Sequence, residues 1–76
     1  MITILKDTQL WRKVSINLNI KIHELRLLIL NQEELDCEYL FTDVEGDTLG
    51  KDLEKTWDCS SIVDKTSNKI YLITIQ

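Results

Sequence analysis

Residues 69–75 constrain the fold more than any other part of the sequence. Their apolar members fall on both faces of an extended chain: Ile70, Tyr71, Leu72, Ile73 and Ile75. A strand with this pattern is typical of the centre of a sheet, because both of its faces are covered. A chain of 76 residues can form only one core. We therefore predict a single domain over residues 1–76, with the last strand in the middle of its sheet.

Two more strands precede this one in a hairpin. Residues 1–6 alternate loosely between apolar and polar side chains, with Ile2 and Ile4 on one side, and residues 12–19 alternate cleanly. The connecting residues 7–11 lack an Asn-Gly pair, so we expect a loop longer than two residues. The segment Tyr39-Leu40-Phe41 predicts a third strand, Thr48-Leu49 a very short fourth at most, and Ile62-Val63 an apolar plug from a loop.

One helix is predicted between the hairpin and the third strand. From Ile22 to Gln32 the apolar spacing changes to that of one helical face, and the residue types are good helix formers. The core stripe is predicted to contain Ile22, Leu25, Leu28, Ile29 and Gln32. The sequence therefore predicts an α+β domain with a mixed four- to five-stranded sheet packed on one helix.

The charge balance and the apolar pattern exclude several kinds of partner. Thirteen acidic residues against nine basic ones give a net charge of −4, which argues against nucleic-acid binding. No apolar run approaches the roughly 20 residues that span a bilayer, and no secretion signal opens the sequence. We expect a protein of the cytoplasm or nucleus without membrane contact, with Cys37 and Cys59 as free thiols.

The chemical inventory predicts a protein without catalytic activity. His23 is the only histidine, no nucleophile is visibly paired with it, and no glycine-rich loop is present to hold a phosphate. So small a chain also has little room for a substrate pocket. We expect no enzyme, no cofactor, no metal and no small-molecule substrate.

The order of these elements resembles that of the ubiquitin-like β-grasp family. The opening Met1-Ile2-Thr3-Ile4, the stretch Lys13-Val14-Ser15-Ile16 and the finish Lys69-Ile70-Tyr71-Leu72 are similar to those of family members. Conjugated members end in Gly-Gly, whereas this sequence ends in Ile75-Gln76. The resemblance implies a β-grasp fold and a non-conjugated module that binds a partner protein non-covalently.

Ubiquitin-like domains commonly bind through an apolar patch on the open side of the sheet. If the even positions of the last strand face the helix, then Tyr71, Ile73 and Ile75 point to that open side. We predict these residues, together with Phe41, as the partner-binding patch. Leu27 and Leu30 lie off the core stripe of the helix and are a second possible docking surface.

The acidic residues 43–54 allow three interpretations. Asp43, Glu45, Asp47 and Glu54 have part of the spacing of a calcium-binding loop, although Thr48 replaces the required glycine. The segment also resembles the acidic cluster of Phox-and-Bem heterodimerisation domains, with Lys6 as a possible basic counterpart. The simplest interpretation is a solvated turn. The alternative acidic surface comprises Asp43, Glu45, Asp47, Asp52 and Glu54.

A small acidic protein could also act as an inhibitor or decoy that occupies the basic cleft of another protein. Such a decoy needs its acids on one continuous face. Here the basic residues are spread among the acidic ones along the sequence, which favours the interaction module. The sequence leaves the oligomeric state open.

Overall fold

The computed structural model describes residues 1–35 and 37–75 and contains a four-stranded mixed sheet. The strands are β1 (Ile2–Lys6), β2 (Gln9–Val14), β3 (Tyr39–Thr42) and β4 (Lys69–Thr74). Their order across the sheet is β2-β1-β4-β3. β1 and β4 are parallel neighbours, and the other neighbouring pairs are antiparallel. The prediction that the last strand lies in the middle of the sheet is confirmed.

The helix α1 (Ile22–Ile29) packs on one side of the sheet. Its buried side chains Ile22 and Leu25 belong to the same core cluster as Ile4 of β1 and Ile70 of β4. Ile62 and Val63, which lie beyond the 3₁₀ turn Cys59–Ser61, are also buried in this cluster. The predicted apolar plug is therefore confirmed. The molecule is an α+β domain in which one main helix covers one face of the sheet.

The prediction of a continuous helix to Gln32 is wrong, because the chain leaves the helix at Leu30. A separate single turn, α2 (Gln32–Leu35), follows. The side chain of Asn31 accepts a hydrogen bond from the backbone N–H of Glu34, and the side chain of Glu34 accepts one from the backbone N–H of Asn31, both at 2.9 Å. This reciprocal pair is the geometry of a capping box, which begins a new helix.

The predicted core stripe of the helix also differs from the observed one. Leu28 is 67% exposed, whereas Arg26 is only 7% exposed. Leu30, predicted to lie outside the stripe, is buried, because the extended backbone at this position turns its side chain into the core. An exposed pair of leucines exists on the helix, but it consists of Leu27 and Leu28.

The hairpin differs from the prediction in its loop and in the limits of its second strand. Asp7 and Thr8 form a two-residue connection with φ angles of 50° and 69°. Positive φ at both positions is the requirement of a type I′ turn, whose twist matches that of the strands. β2 therefore begins at Gln9 and ends at Val14, where its pairing with Ile2 ends. Residues 15–19 lie outside the sheet, although Ile16 and Leu18 still pack against the core.

A bulge in β2 sets which residues face the helix. Ile4 pairs with Arg12 and Leu5 pairs with Leu10, so Trp11 is the additional residue. Leu10 consequently shares the side of Leu5, away from the helix. Arg12 lies on the helix side, where its guanidinium binds both carboxylate oxygens of Glu34 at 2.8 Å.

Candidate functional site

The side of the sheet opposite α1 carries a set of neighbouring apolar residues. The strand register places Leu10, Leu5 and Tyr71 in one row across β2, β1 and β4. Ile73 of β4 lies beside Leu40 of β3 on the same side. Leu10 is 64% exposed and the other four are half-buried. We call this surface the open face, and it consists of Leu5, Leu10, Leu40, Tyr71 and Ile73.

The predicted patch residues divide into two groups. Tyr71 and Ile73 lie on the open face, as the alternation of β4 predicts. Ile75 follows β4 and is half-buried, and its backbone N–H donates to the carbonyl oxygen of Glu38 at 2.8 Å. The placement of Phe41 on the open side is wrong: its side chain is fully buried beside Leu72. The short segment 39–41 alone does not reveal which of its residues face the helix.

Leu5, Leu10 and Leu40 were missed because their positions depend on the pairing of strands. The bulge at Trp11 reverses the side on which Leu10 would otherwise lie. Leu40 shares the open face only because it pairs with Ile73 rather than with a neighbour one residue away. The one sequence signal was a leucine in each of β1, β2 and β3 that did not fit the core pattern.

A groove with a volume of about 260 Å³ opens at one end of the open face. Tyr71 and Ile73 line it from β4, Thr8 from the hairpin turn, and Val44 and Glu45 from the turn that follows β3. Val44 is 58% exposed at the tip of that turn. The groove thus joins the apolar strand to the acidic segment, two features that the sequence presented as rival surfaces.

The turn beside the groove, residues 43–47, is held by its own hydrogen bonds. The carboxylate of Asp43 accepts the backbone N–H groups of Glu45 and Asp47 at 2.9 and 3.0 Å. The backbone N–H of Asp43 donates to the carbonyl oxygen of Asp47 at 2.9 Å. Gly46 has a φ of 91°, which glycine adopts without strain. We call this segment the acidic turn, and its own hydrogen bonds fix its shape.

In the described part of the chain, the carboxylates of the acidic turn have no basic side chain within salt-bridge distance, unlike several other acidic residues of the molecule. Glu34, Glu54 and Asp58 each form an ion pair with a basic side chain. Within residues 1–35 and 37–75, no lysine or arginine nitrogen lies within 4.0 Å of the carboxylates of Asp43, Glu45 or Asp47. One rim of the groove is therefore negatively charged and uncompensated by a direct salt bridge.

The predicted acidic surface is smaller than expected, because Glu54 does not belong to it. Glu54 is 1% exposed and pairs with Arg26, at 2.7 Å from Nε to Oε1. Asp52 is exposed at the start of the 3₁₀ turn Leu53–Lys55. The spacing that suggested a calcium loop also fails, since its last ligand is this buried glutamate. Among the residues with a described position, no three His, Cys, Asp or Glu side chains gather as a metal site would require.

The tip of the hairpin is anchored next to the groove by Asp7. Its carboxylate accepts the backbone N–H of Thr74 at 2.9 Å and the Thr74 hydroxyl at 2.7 Å. These hydrogen bonds, the backbone one first, hold the pKa of Asp7 below its usual value. The backbone N–H of Asp7 also donates to the carbonyl oxygen of Leu72. Thr8 is thereby fixed in position at the groove.

Lys6, suggested above as a basic counterpart for an acidic partner, is engaged within its own domain. Its ammonium lies 5.2 Å from the ring centre of Trp11 and 5.5 Å from that of Tyr39. Both distances are within the range of cation–π attraction. Lys6 is half-buried on the helix side of the sheet, away from the open face.

The possible nucleophiles and bases lie apart from the groove. Cys59 is fully buried, and burial, together with the negative charges of Asp58 and Glu24, raises the pKa of its thiol to about 11. Cys37 is exposed in the segment before β3. His23 lies on α1, which packs on the other side of the sheet. The groove itself presents carboxylates, a phenol and aliphatic side chains, which suit binding.

Comparisons with known proteins add no family to these observations. Neither protein-family models, nor curated proteins, nor solved structures gave a match to this chain. None of the helices in the described ranges has the length and apolar character needed to cross a membrane.

Proposed function

We propose that this protein is a non-catalytic interaction module with a ubiquitin-like β-grasp fold that binds a partner protein non-covalently through its open face. The observation that carries the proposal is the row of Leu10, Leu5 and Tyr71, which ends in a leucine that is 64% exposed. Contiguous exposed apolar surface marks interaction sites in small soluble proteins. The α+β architecture with a parallel central strand pair supports the β-grasp assignment without identifying a family.

The acidic heterodimerisation proposal has weaker support. It needs a continuous acidic surface and a free basic counterpart on β1. Glu54 is buried in an ion pair, and the Lys6 ammonium lies within cation–π distance of the Trp11 and Tyr39 rings. Of the remaining acids, Asp43 and Glu45 line the groove at the end of the open face, so they adjoin that face rather than form a separate acidic surface.

Affinity capture from an extract of the source cells tests the proposal with two matched variants. Ile73→Asp places a charge on the open face, and Leu28→Asp places the same charge on the exposed surface of α1. We expect the parent and Leu28→Asp to retain the same partner, and Ile73→Asp to lose it while its circular dichroism spectrum remains that of the parent. Retention of the partner by a folded Ile73→Asp variant and its loss by Leu28→Asp would move the binding surface to the helix.

A further inference from the structure

The groove has an apolar wall and a negatively charged rim, and together these indicate what kind of ligand could bind in it. Its wall is apolar, formed by Tyr71, Ile73 and the exposed side chain of Val44. Its rim carries Asp43 and Glu45, which have no cation within salt-bridge distance in the described ranges. An apolar side chain is favoured in the first region, and a positive charge in the second.

We propose that the occupant is a segment of a partner protein in which an apolar side chain is flanked by lysine or arginine. The apolar side chain enters the groove between Tyr71 and Val44, and the basic side chain pairs with Asp43 or Glu45. This inference rests on the proposed function, and it specifies the chemistry of the partner that the open face receives.

The size of the groove favours a protein side chain over a small molecule. Its volume of about 260 Å³ lies below the range of roughly 300–1,000 Å³ that is typical of sites for small molecules and cofactors. One or two side chains fill such a space. The fixed shape of the acidic turn reduces the entropy lost on binding, because its backbone is already ordered by the bonds to Asp43.

The charges of the open face also set the orientation of the occupant. Lys13 and Lys69 flank Thr3 in the row beside that of Leu5, so the face has a basic row in addition to the acidic rim. The basic side chain of the occupant is attracted to the acidic turn and repelled by that row. Electrostatic complementarity of this kind fixes register and partner choice more than it adds affinity.

The edge of β3 next to the groove is closed to an added strand at three positions. The carbonyl oxygen of Tyr39 accepts a hydrogen bond from the Arg26 side chain. The carbonyl oxygen of Phe41 accepts one from the backbone N–H of Leu49. The backbone N–H of Asp43 is bonded to the carbonyl oxygen of Asp47. The occupant is therefore recognised by its side chains rather than by extending the sheet at this edge.

A library of random short peptides displayed on phage, selected on the immobilised full chain, tests the inference. We expect the selected peptides to carry Lys or Arg next to an aliphatic or aromatic residue. Selected peptides without basic residues, peptides rich in acidic residues, or the absence of any selected peptide would each overturn it.

A selected peptide, synthesised with a fluorescent label, is then titrated against four variants, one of which is Leu28→Asp on α1. Asp43→Asn with Glu45→Gln removes both charges and keeps a side-chain oxygen for the turn, and we expect binding to weaken about 2- to 30-fold, as for two exposed ion pairs. Lys13→Gln is the matched control of opposite sign on the same face, and binding to it should be no weaker than to the parent. Ile73→Asp should abolish binding.

The outcomes separate this inference from the proposed function. If binding is lost in Ile73→Asp but unchanged in Asp43→Asn/Glu45→Gln, the inference that the occupant carries a basic side chain is overturned. The open face then remains the binding surface. Binding that survives Ile73→Asp and is lost in Leu28→Asp contradicts both. If analytical ultracentrifugation finds a dimer of the parent that Ile73→Asp dissociates, then the occupant is a second copy, and the inference is overturned.

Discussion

Arg26 and Glu54, 28 positions apart, form a two-point ion pair within the core. The Nε–Oε1 distance is 2.7 Å, the Nη2–Oε2 distance is 2.8 Å, and Nη2 also donates to the carbonyl oxygen of Tyr39 at 2.8 Å. The pair joins α1 to the 3₁₀ turn Leu53–Lys55 and to β3. Removal of one partner leaves a buried charge without its counterpart.

We expect Glu54→Gln to lower the free energy of unfolding by about 3 kcal/mol, at the lower end of the values for broken buried pairs. A domain of this length has a total of roughly 4–11 kcal/mol, so the loss is a large fraction. The double variant Arg26→Met/Glu54→Leu should lose less than Glu54→Gln alone, since it leaves no charge buried. Urea unfolding followed by circular dichroism measures both, and a double variant less stable than Glu54→Gln would contradict the account.

The hairpin turn contains a strained residue whose replacement should stabilise the protein. Thr8 has a φ of 69°, and a left-handed backbone is costly for a β-branched side chain. Thr8→Gly should therefore raise the free energy of unfolding by about 1 kcal/mol. Thr66→Gly is the matched control, because Thr66 lies in an exposed turn without positive φ, and it should be neutral or destabilising. Equal effects of the two substitutions would rule out strain as the cause.

The two thiols should differ in reactivity. Cys59 is fully buried with a pKa of about 11, whereas Cys37 is exposed. Because the thiolate is the reactive form, brief treatment with iodoacetamide at neutral pH should label Cys37 alone in the folded protein and both cysteines in urea. Mass spectrometry of the digested protein identifies the labelled residue. Rapid labelling of Cys59 without denaturant would contradict its burial.

Asp7 should contribute to stability at neutral pH and lose that contribution in acid. Its pKa in the folded protein is lowered, so the unfolded chain binds a proton more readily than the folded one. The contribution is complete above the pKa of the unfolded chain and declines as the pH falls through the lower pKa of the folded state. Asparagine tolerates the same positive φ. In Asp7→Asn, the free energy of unfolding measured with urea should therefore depend less on pH below pH about 4. Asp52→Asn, at an exposed position in another element, is the matched control for removal of one negative charge.

Local patterns in the sequence predict the elements better than their ends. The central position of β4 follows from its two apolar faces, and the start of α1 follows from the change of period at Ile22. The early end of α1 depends on the capping pair of Asn31 and Glu34, which interrupts an otherwise helical pattern. The two-residue turn at Asp7 was missed because Thr8 is an unfavourable residue for it.

The candidate site depends on contacts between distant residues, which a periodic pattern does not contain. Arg26 occupies a core position of α1 only because Glu54 compensates its charge. The acidic turn borders Tyr71 and Ile73 because β3 pairs with β4 in one particular register. The sequence therefore predicted Tyr71 and Ile73 and the acidic residues separately, and the groove between them emerged from the fold.

Site-specific photocrosslinking tests the central claim, that the open face binds a partner, most directly. Benzoylphenylalanine is introduced in place of Leu10 on the open face, or in place of Leu28 on α1 as the matched control, since the two leucines are 64% and 67% exposed. After irradiation in the source cells, we predict a crosslinked partner protein from position 10, abolished by Ile73→Asp, and none from position 28. A crosslink that forms from position 28 and not from position 10 would contradict the account.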